Sequence, residues 1–284
     1  MTAHTVDALL REASGVLSAA GVEGGRRDAR LLLADLLDCA AGDLLTRGDA
    51  VVNAATADAF RARIGRRADR EPVSRILGRR GFWRHEFLVG PETLDPRPDT
   101  ETVVELALEA LPDAEGRYSV LDLGTGTGCI LLSILGDRPN ATGLGIDIAP
   151  GALAVAAENA RRLGVPDRAR FARGDWTAAV NGKFDAIVSN PPYIPDAEVP
   201  RLDPEVSRHD PHTALKGGPD GLYPYRVIAK EAPRLLRSLG SLIVEVGAGQ
   251  ADDVATLFED AHLRVIDVRR DLAGIARCVR AANG

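Results

Sequence analysis

Val120-Leu121-Asp122-Leu123-Gly124-Thr125-Gly126-Thr127-Gly128, followed by the apolar run Cys129-Ile130-Leu131-Leu132-Ser133-Ile134-Leu135, is the stretch that decides the fold. A strand runs into a glycine-rich turn, and the apolar run reads as the helix after it. Glycines let the backbone approach a ligand closely and adopt φ > 0. Strand, glycine turn and helix in this order open a doubly wound α/β sheet, in which ligands lie beyond the carboxyl ends of the strands. The dinucleotide fingerprint G-x-G-x-x-G requires a third glycine where this chain has Cys129; the spacing here is D-x-G-x-G-x-G.

That spacing resembles the first motif of methyltransferases that use S-adenosylmethionine (SAM). Downstream, Thr142-Gly143-Leu144-Gly145-Ile146-Asp147 reads as the second strand and ends in an acid. Asp147 stands about twenty residues past the glycines, where a carboxylate can bind ribose hydroxyls; its other reading is an N-cap for a helix beginning near Pro150. After a further strand at Ala169-Arg170-Phe171-Ala172 comes Gly174-Asp175-Trp176. Asp175 can meet an adenine amino group and Trp176 can cover the ring, or Trp176 is simply a core-edge side chain.

A second decisive segment is Asn190-Pro191-Pro192-Tyr193, placed directly after the apolar run Phe184 to Ser189. The Asn oxygen can accept an amide hydrogen. The prolines remove backbone N–H donors and fix φ, which sets the direction of nearby carbonyls. The Tyr ring can lie on the flat face of a planar –NH2 group. Taken alone, the tetrapeptide is equally an ordinary turn at a strand exit.

With these residues the chain resembles the HemK/PrmC family over nearly its full length. This family comprises bacterial methyltransferases that modify a glutamine side chain in class I peptide chain release factors. The resemblance rests on Pro96 to Glu101, Asp122 to Gly128, Gly174 to Trp176 and Asn190 to Pro195. It extends through Ala214-Leu215 with Gly217-Gly218, Asp220 to Leu222 with Tyr225-Arg226, and Glu245 to Gly247 with Gln250. It implies a SAM-dependent methyltransferase of Rossmann-like, mostly parallel α/β architecture. SAM would be contacted by Gly124, Thr125, Gly126, Thr127, Gly128, Asp147, Asp175, Trp176 and Asn190. The target would be the glutamine of a Gly-Gly-Gln loop, held by Asn190, Pro191, Pro192 and Tyr193. The chain departs from the family at His209-Asp210-Pro211-His212, at Tyr223-Pro224 and near Ala276, which concerns the region shaping the substrate groove.

The rest of the 284 residues fits this organisation. Val6, Leu9, Leu10, Ala13, Leu17 and Ala20 recur at helical spacing before Gly21, and further helices are expected over Asp28 to Leu37 and Ala55 to Ala68. Residues 1–72 are therefore expected to form a small helical domain that docks the substrate. Residues 73–97 are expected to form a β-hairpin linker, with a strand over Phe82 to Val89. Residues 98–284 are expected to form the methyltransferase domain, ending in strands Ser241 to Val246, Arg264 to Val268 and Ala276 to Ala281.

The formal net charge is −6, which disfavours stable nucleic-acid binding. Residues 61–80 carry eight Arg against Asp69 and Glu71, a local +6, so the remainder carries −12. That run is either a solvated helix face or a docking surface for an acidic or RNA-associated partner. The three cysteines lack metal spacing, and His209 and His212 have no third ligand near them, so no metal is expected. No apolar run reaches membrane-spanning length and no secretory leader is evident, so a cytoplasmic protein is expected.

The chemistry that follows is direct transfer of a methyl group to an amide nitrogen, with the Asn190 side-chain oxygen and the Pro191 carbonyl accepting the two amide hydrogens. Three other readings use the same residues. One is methylation of an exocyclic amine of adenine or cytosine in nucleic acid. Another is a SAM-binding translation regulator without catalysis. The third is a nicotinamide dehydrogenase, against which Cys129 argues.

Overall fold

The computed structural model describes residues 4–178, 180–271 and 273–284. The chain divides into two compact units: residues up to Gly78 together with Pro204–His209, and Arg79–Asp203 together with Asp210–Gly284.

The first unit is built on helices α1 (Val6–Ala19), α2 (Gly25–Leu36), α3 (Ala54–Ala68) and the short α4 (Val73–Leu77). The Thr5 and Asn53 side chains accept backbone N–H groups of α1 and α3 at 3.3 and 2.9 Å, which satisfies donors left open at each helix start. Apolar positions at helical spacing meet in one core: Val6, Leu9, Ala13 and Leu17 from α1, Leu32 and Leu33 from α2, Phe60 and Ile64 from α3. Helix α2 begins three residues before the expected Asp28, because the turn holding Arg26 and Arg27 has no apolar periodicity to mark it. Strands β1 (His4–Thr5) and β2 (Val51–Val52) pair antiparallel.

The arginine run is largely spent inside this unit. Arg61 pairs with Glu12, Arg63 with Asp35 and Arg66 with Glu71. Arg67, only 6% exposed, holds Asp28 at 2.8 Å and Glu205 at 3.0 Å, and Arg70 also holds Glu205. Glu205 lies on the single helical turn Pro204–Ser207, so these two arginines tie that turn to the helices.

The second unit begins with an antiparallel hairpin of β3 (Arg79–Phe82) and β4 (His85–Leu88). The single strand expected over Phe82 to Val89 is therefore two strands broken at Trp83-Arg84. Trp83 sits at φ 55°. Its N–H donates to Glu101 at 2.7 Å and its indole N–H to Asp137 at 2.9 Å, and these tertiary bonds hold a left-handed backbone that a bulky residue otherwise avoids.

Beyond the hairpin come α5 (Glu101–Ala110), β5 (Ser119–Leu123), α6 (Cys129–Asp137), β6 (Thr142–Asp147), α7 (Pro150–Arg162), β7 (Ala169–Arg173), β8 (Phe184–Ser189), α8 (Tyr223–Leu235), β9 (Leu236–Glu245), α9 (Ala251–Asp260), β10 (Leu263–Arg270) and β11 (Ala276–Asn283). The seven strands order as β10-β11-β9-β8-β5-β6-β7. Strands β9, β8, β5, β6 and β7 are parallel neighbours, and β11 is antiparallel to both β9 and β10.

Adjacent strand residues fall into different cores, as a period of two requires. Val120, Val188 and Ile243 pack with α5, α6 and α7 on one face. Leu121, Ile187 and Leu242 pack with α8 and α9 on the other. The expected mostly parallel sheet with helices on both faces is thus the fold. Its order reverses between β5 and β8, and ligands bind beyond the carboxyl ends of such strands.

Candidate active site

A cavity of about 480 Å³ opens at those strand ends, against the turns that follow β5, β6 and β8. Gly124, Thr125, Gly126, Thr127, Asp147, Asp175, Trp176, Asn190 and Pro192 all line it. Gly128, Pro191 and Tyr193 do not. Gly128, at φ 79°, begins α6, and a Cβ there would lie 3.3 Å from the Cβ of Ala156 on α7; it lets two helices approach closely. Pro191 is buried. Tyr193 packs against the core shared with α8 and α9.

The glycine turn is held from three directions. The N–H groups of Gly124 and Thr125 donate to the Ile146 carbonyl at 2.9 Å. The Gly126 N–H donates to Asp147 Oδ2 at 2.9 Å. Asn159 of α7, 1% exposed, donates to the Thr127 carbonyl at 2.9 Å and exchanges two hydrogen bonds with Leu88 of the hairpin. Asp147 Oδ1 accepts the Ala149 N–H at 2.9 Å. The carboxylate therefore organises both the glycine turn and the start of α7, and each oxygen keeps a lone pair for a ligand hydroxyl.

Behind the turn, Asp122 is fully buried. Thr125 donates to its Oδ2 at 2.6 Å. Burial pushes its pKa up to about 7, opposed by the Thr125 hydrogen bond and assisted by the negative charge of Asp147. Cys129, beside it, has its thiol pushed up to about 12 by burial, so it is protonated and unreactive at neutral pH.

On the other wall, Asn190 Nδ2 donates to Thr100 Oγ1 at 2.9 Å, and the Thr100 hydroxyl donates to Glu245 Oε2 at 2.6 Å. No hydrogen bond reaches Asn190 Oδ1 among the described residues, so that oxygen remains an acceptor on a cavity-lining side chain. The Tyr193 carbonyl is held by Gln250 Nε2 at 2.9 Å, and the Gln250 oxygen accepts the Gly247 N–H at 3.0 Å. Gly221, at φ 76°, packs so closely that a Cβ would collide with the Tyr193 carbonyl oxygen. The loop after Tyr193 is tied by a parallel bridge between Ile194 and Lys216.

Sequence reasoning did not single out Thr213 or Lys216, and it gave Arg97 and His212 no site role of their own; all four share the cavity wall. Arg97 pairs with the buried Asp210 at 2.7 Å, so the segment that departs from the family pattern helps shape this wall. No cluster of metal-ligating side chains occurs among the described residues.

A protein from Rhodospirillum rubrum named release factor glutamine methyltransferase is 56% identical over 273 residues, which is 96% of this chain and 83% of that protein. The chain belongs to the release factor glutamine methyltransferase family. A second member of the family, from Cereibacter sphaeroides, is 47% identical over 96% of both chains. Two family models match: one described as the PrmC N-terminal domain over residues 8–78, and one described as the methyltransferase small domain over residues 99–202. The crystal structure of a methyltransferase from Pyrococcus furiosus superimposes with a TM-score of 0.51, covering 70% of this chain and 89% of that one at 16% identity, a likeness of fold.

Proposed function

We propose that this protein methylates the side-chain amide nitrogen of the glutamine in the Gly-Gly-Gln loop of class I peptide chain release factors, with SAM as methyl donor. One observation carries the reading: Asn190, on the cavity wall, gives its NH2 group to Thr100 and keeps its oxygen as an acceptor. SAM supplies a methyl group already activated on a sulfonium. The residues present suit it. Gly124 and Gly126, at φ 71° and 53°, bring backbone close to the cavity, Asp147 offers ribose-binding oxygens, and Trp176 lies beside Gly124 and Asp175.

The work left to this chain is placement. An amide nitrogen is a poor nucleophile because its lone pair is delocalised into the carbonyl. In this reading Asn190 Oδ1 accepts one of its hydrogens and helps aim the lone pair at the donor methyl, while the Pro191 carbonyl, expected from the sequence to accept the second, belongs to a residue off the cavity wall. Each hydrogen bond is worth about 0.5–1.5 kcal/mol net, whereas correct placement supplies roughly 7–11 kcal/mol. Apolar lining from Leu94, Ile130, Ile146 and Trp176 limits water, which favours dispersal of sulfonium charge in the transition state. No covalent nucleophile is needed, and buried Cys129 is not one. The surplus proton leaves to water.

In this reading the helical unit (expected as residues 1–72) docks the body of the factor, the hairpin (within the expected linker 73–97) joins it, and residues 98–284 perform the transfer. This reading assigns nucleic acid no role, and the pairing of the arginines of 61–70 with carboxylates of their own unit supports it. A cytoplasmic location suits a substrate that acts on the ribosome. Among the described residues no helix is long and apolar enough to cross a membrane. The test is incubation of the enzyme with labelled SAM and purified class I release factor, with mass mapping of the product. One methyl on the Gly-Gly-Gln glutamine is expected; label on RNA or DNA instead would overturn the substrate.

A further inference from the structure

The proposed reaction leaves a buried acid unused. Glu245 closes β9 with 3% of its surface exposed, and Thr100, equally buried, stands between it and Asn190. A hydroxyl has one proton to give. While that proton goes to Glu245, Thr100 can offer Asn190 only lone pairs. Asn190 must then turn its NH2 toward Thr100 and its oxygen away. A flipped Asn190 would set its oxygen against a lone pair.

We propose that Glu245, acting through Thr100, is a positioning residue that locks the sense of the Asn190 amide so that Oδ1 is the acceptor for the substrate N–H. The proposal rests on the reading of Asn190 as the group that holds the substrate amide.

The lock depends on Glu245 being ionised. Burial pushes its pKa up to about 7; the Thr100 hydrogen bond, Arg277 and the Tyr193 hydroxyl oppose this, and Asp99 adds to it. The Tyr225 hydroxyl donates to the backbone carbonyl of Glu245 at 2.9 Å, and Cys278 lies opposite in the β11 register with a thiol that burial keeps protonated. When Glu245 takes up a proton it can donate back to Thr100. The Thr100 proton is then free to meet Asn190 Oδ1, and the amide can turn. Turnover should therefore fall as pH drops below about 7.

The test measures kcat, KM for release factor and the Kd for SAM from about pH 5.5 to about pH 9, an interval that spans titration of a group near neutrality. The proteins are wild type, Glu245→Gln, Thr100→Val, Thr100→Ser and Asn190→Ala. Wild type should show an acidic limb in kcat. Glu245→Gln and Thr100→Val should lose about 10- to 100-fold in kcat at alkaline pH, the scale of misplacement, keep their SAM affinity and lose the limb. Thr100→Ser, which keeps the hydroxyl, should recover most of the loss and the limb.

Wild-type kcat and an unchanged limb in Glu245→Gln and Thr100→Val would overturn the relay. So would a Thr100→Ser protein as damaged as Thr100→Val, since packing rather than the hydroxyl would then matter. Asn190→Ala separates the two levels: a wild-type rate there sinks the reading of Asn190 itself, whereas a lost rate beside intact relay variants sinks the relay alone. If Glu245→Gln does not fold, the Thr100 pair decides.

Discussion

Replacing Asp122 by asparagine should change how stability depends on pH, in a direction and size set by the structure. Asp122 is fully buried, with one oxygen held by Thr125 at 2.6 Å. Burial displaces its pKa from 3.8 to about 7. Below about pH 4 the folded and unfolded chains both carry the proton, and the site contributes no pH dependence. Between about 4 and 7 only the folded state keeps it, so stability falls as pH rises. Above about 7 both states are ionised and the full cost of the buried charge is present.

At about 1.4 kcal/mol per pKa unit, the full cost is about 4 kcal/mol, of which about 3 kcal/mol develops between about pH 5 and about pH 8. The amide introduced by Asp122→Asn does not ionise, so its contribution is flat. Any constant cost of the new NH2 group cancels when one protein is compared at two pH values. Urea unfolding of both proteins at about pH 5 and about pH 8, without SAM, measures the difference. The variant should gain about 3 kcal/mol on wild type across that interval. Parallel pH dependence of the two proteins would refute the reasoning, because Asp122 would then keep one protonation state throughout.

Asp147→Ala removes the acceptor of the Gly126 and Ala149 N–H groups along with the proposed ribose contact. SAM affinity measured by titration should weaken about 10- to 100-fold, the worth of one hydrogen bond to a charged group, and unaltered affinity would remove Asp147 from the site. Gly221→Ala puts a Cβ into the Tyr193 carbonyl at φ 76°; a loss of at least about 1–2 kcal/mol from the left-handed backbone alone should accompany a fall in methyl transfer, and a protein normal in both would contradict the packing described. Arg67→Ala strands Asp28 and half of the Glu205 pairing; thermal unfolding should show a loss of about 3 kcal/mol, the lower end for a broken buried pair, and an unshifted melting temperature would show the pair to be idle.

Much of the fold is legible in the sequence because its signals are local. The apolar runs ending at Leu123, Asp147 and Ser189 and the glycines between β5 and α6 need no distant partner to be recognised. A hairpin is expected in this region, but the position of its turn is hidden for the converse reason: Trp83-Arg84 contains no Gly, Pro or Asn, and the turn is held by Glu101 and Asp137 from elsewhere in the chain. The attachment of Pro204–His209 to the helical unit is likewise invisible, since Arg67 and Glu205 are 138 residues apart. Gly128 reads in sequence like Gly124 and Gly126, yet it serves helix packing. Thr100 and Glu245 stand in the sequence only as parts of family motifs; their link to Asn190 exists only once β9 and the turn before α5 are brought together across 145 residues of chain.

The most direct test of the central claim is methyl transfer and SAM binding measured side by side on wild type and Asn190→Ala, with class I release factor as acceptor. Transfer to the Gly-Gly-Gln glutamine should fall by at least about 100-fold in the variant, as loss of placement entails, while the Kd for SAM stays close to that of wild type. Undiminished transfer by Asn190→Ala, or transfer and SAM binding lost in equal measure, would contradict the account.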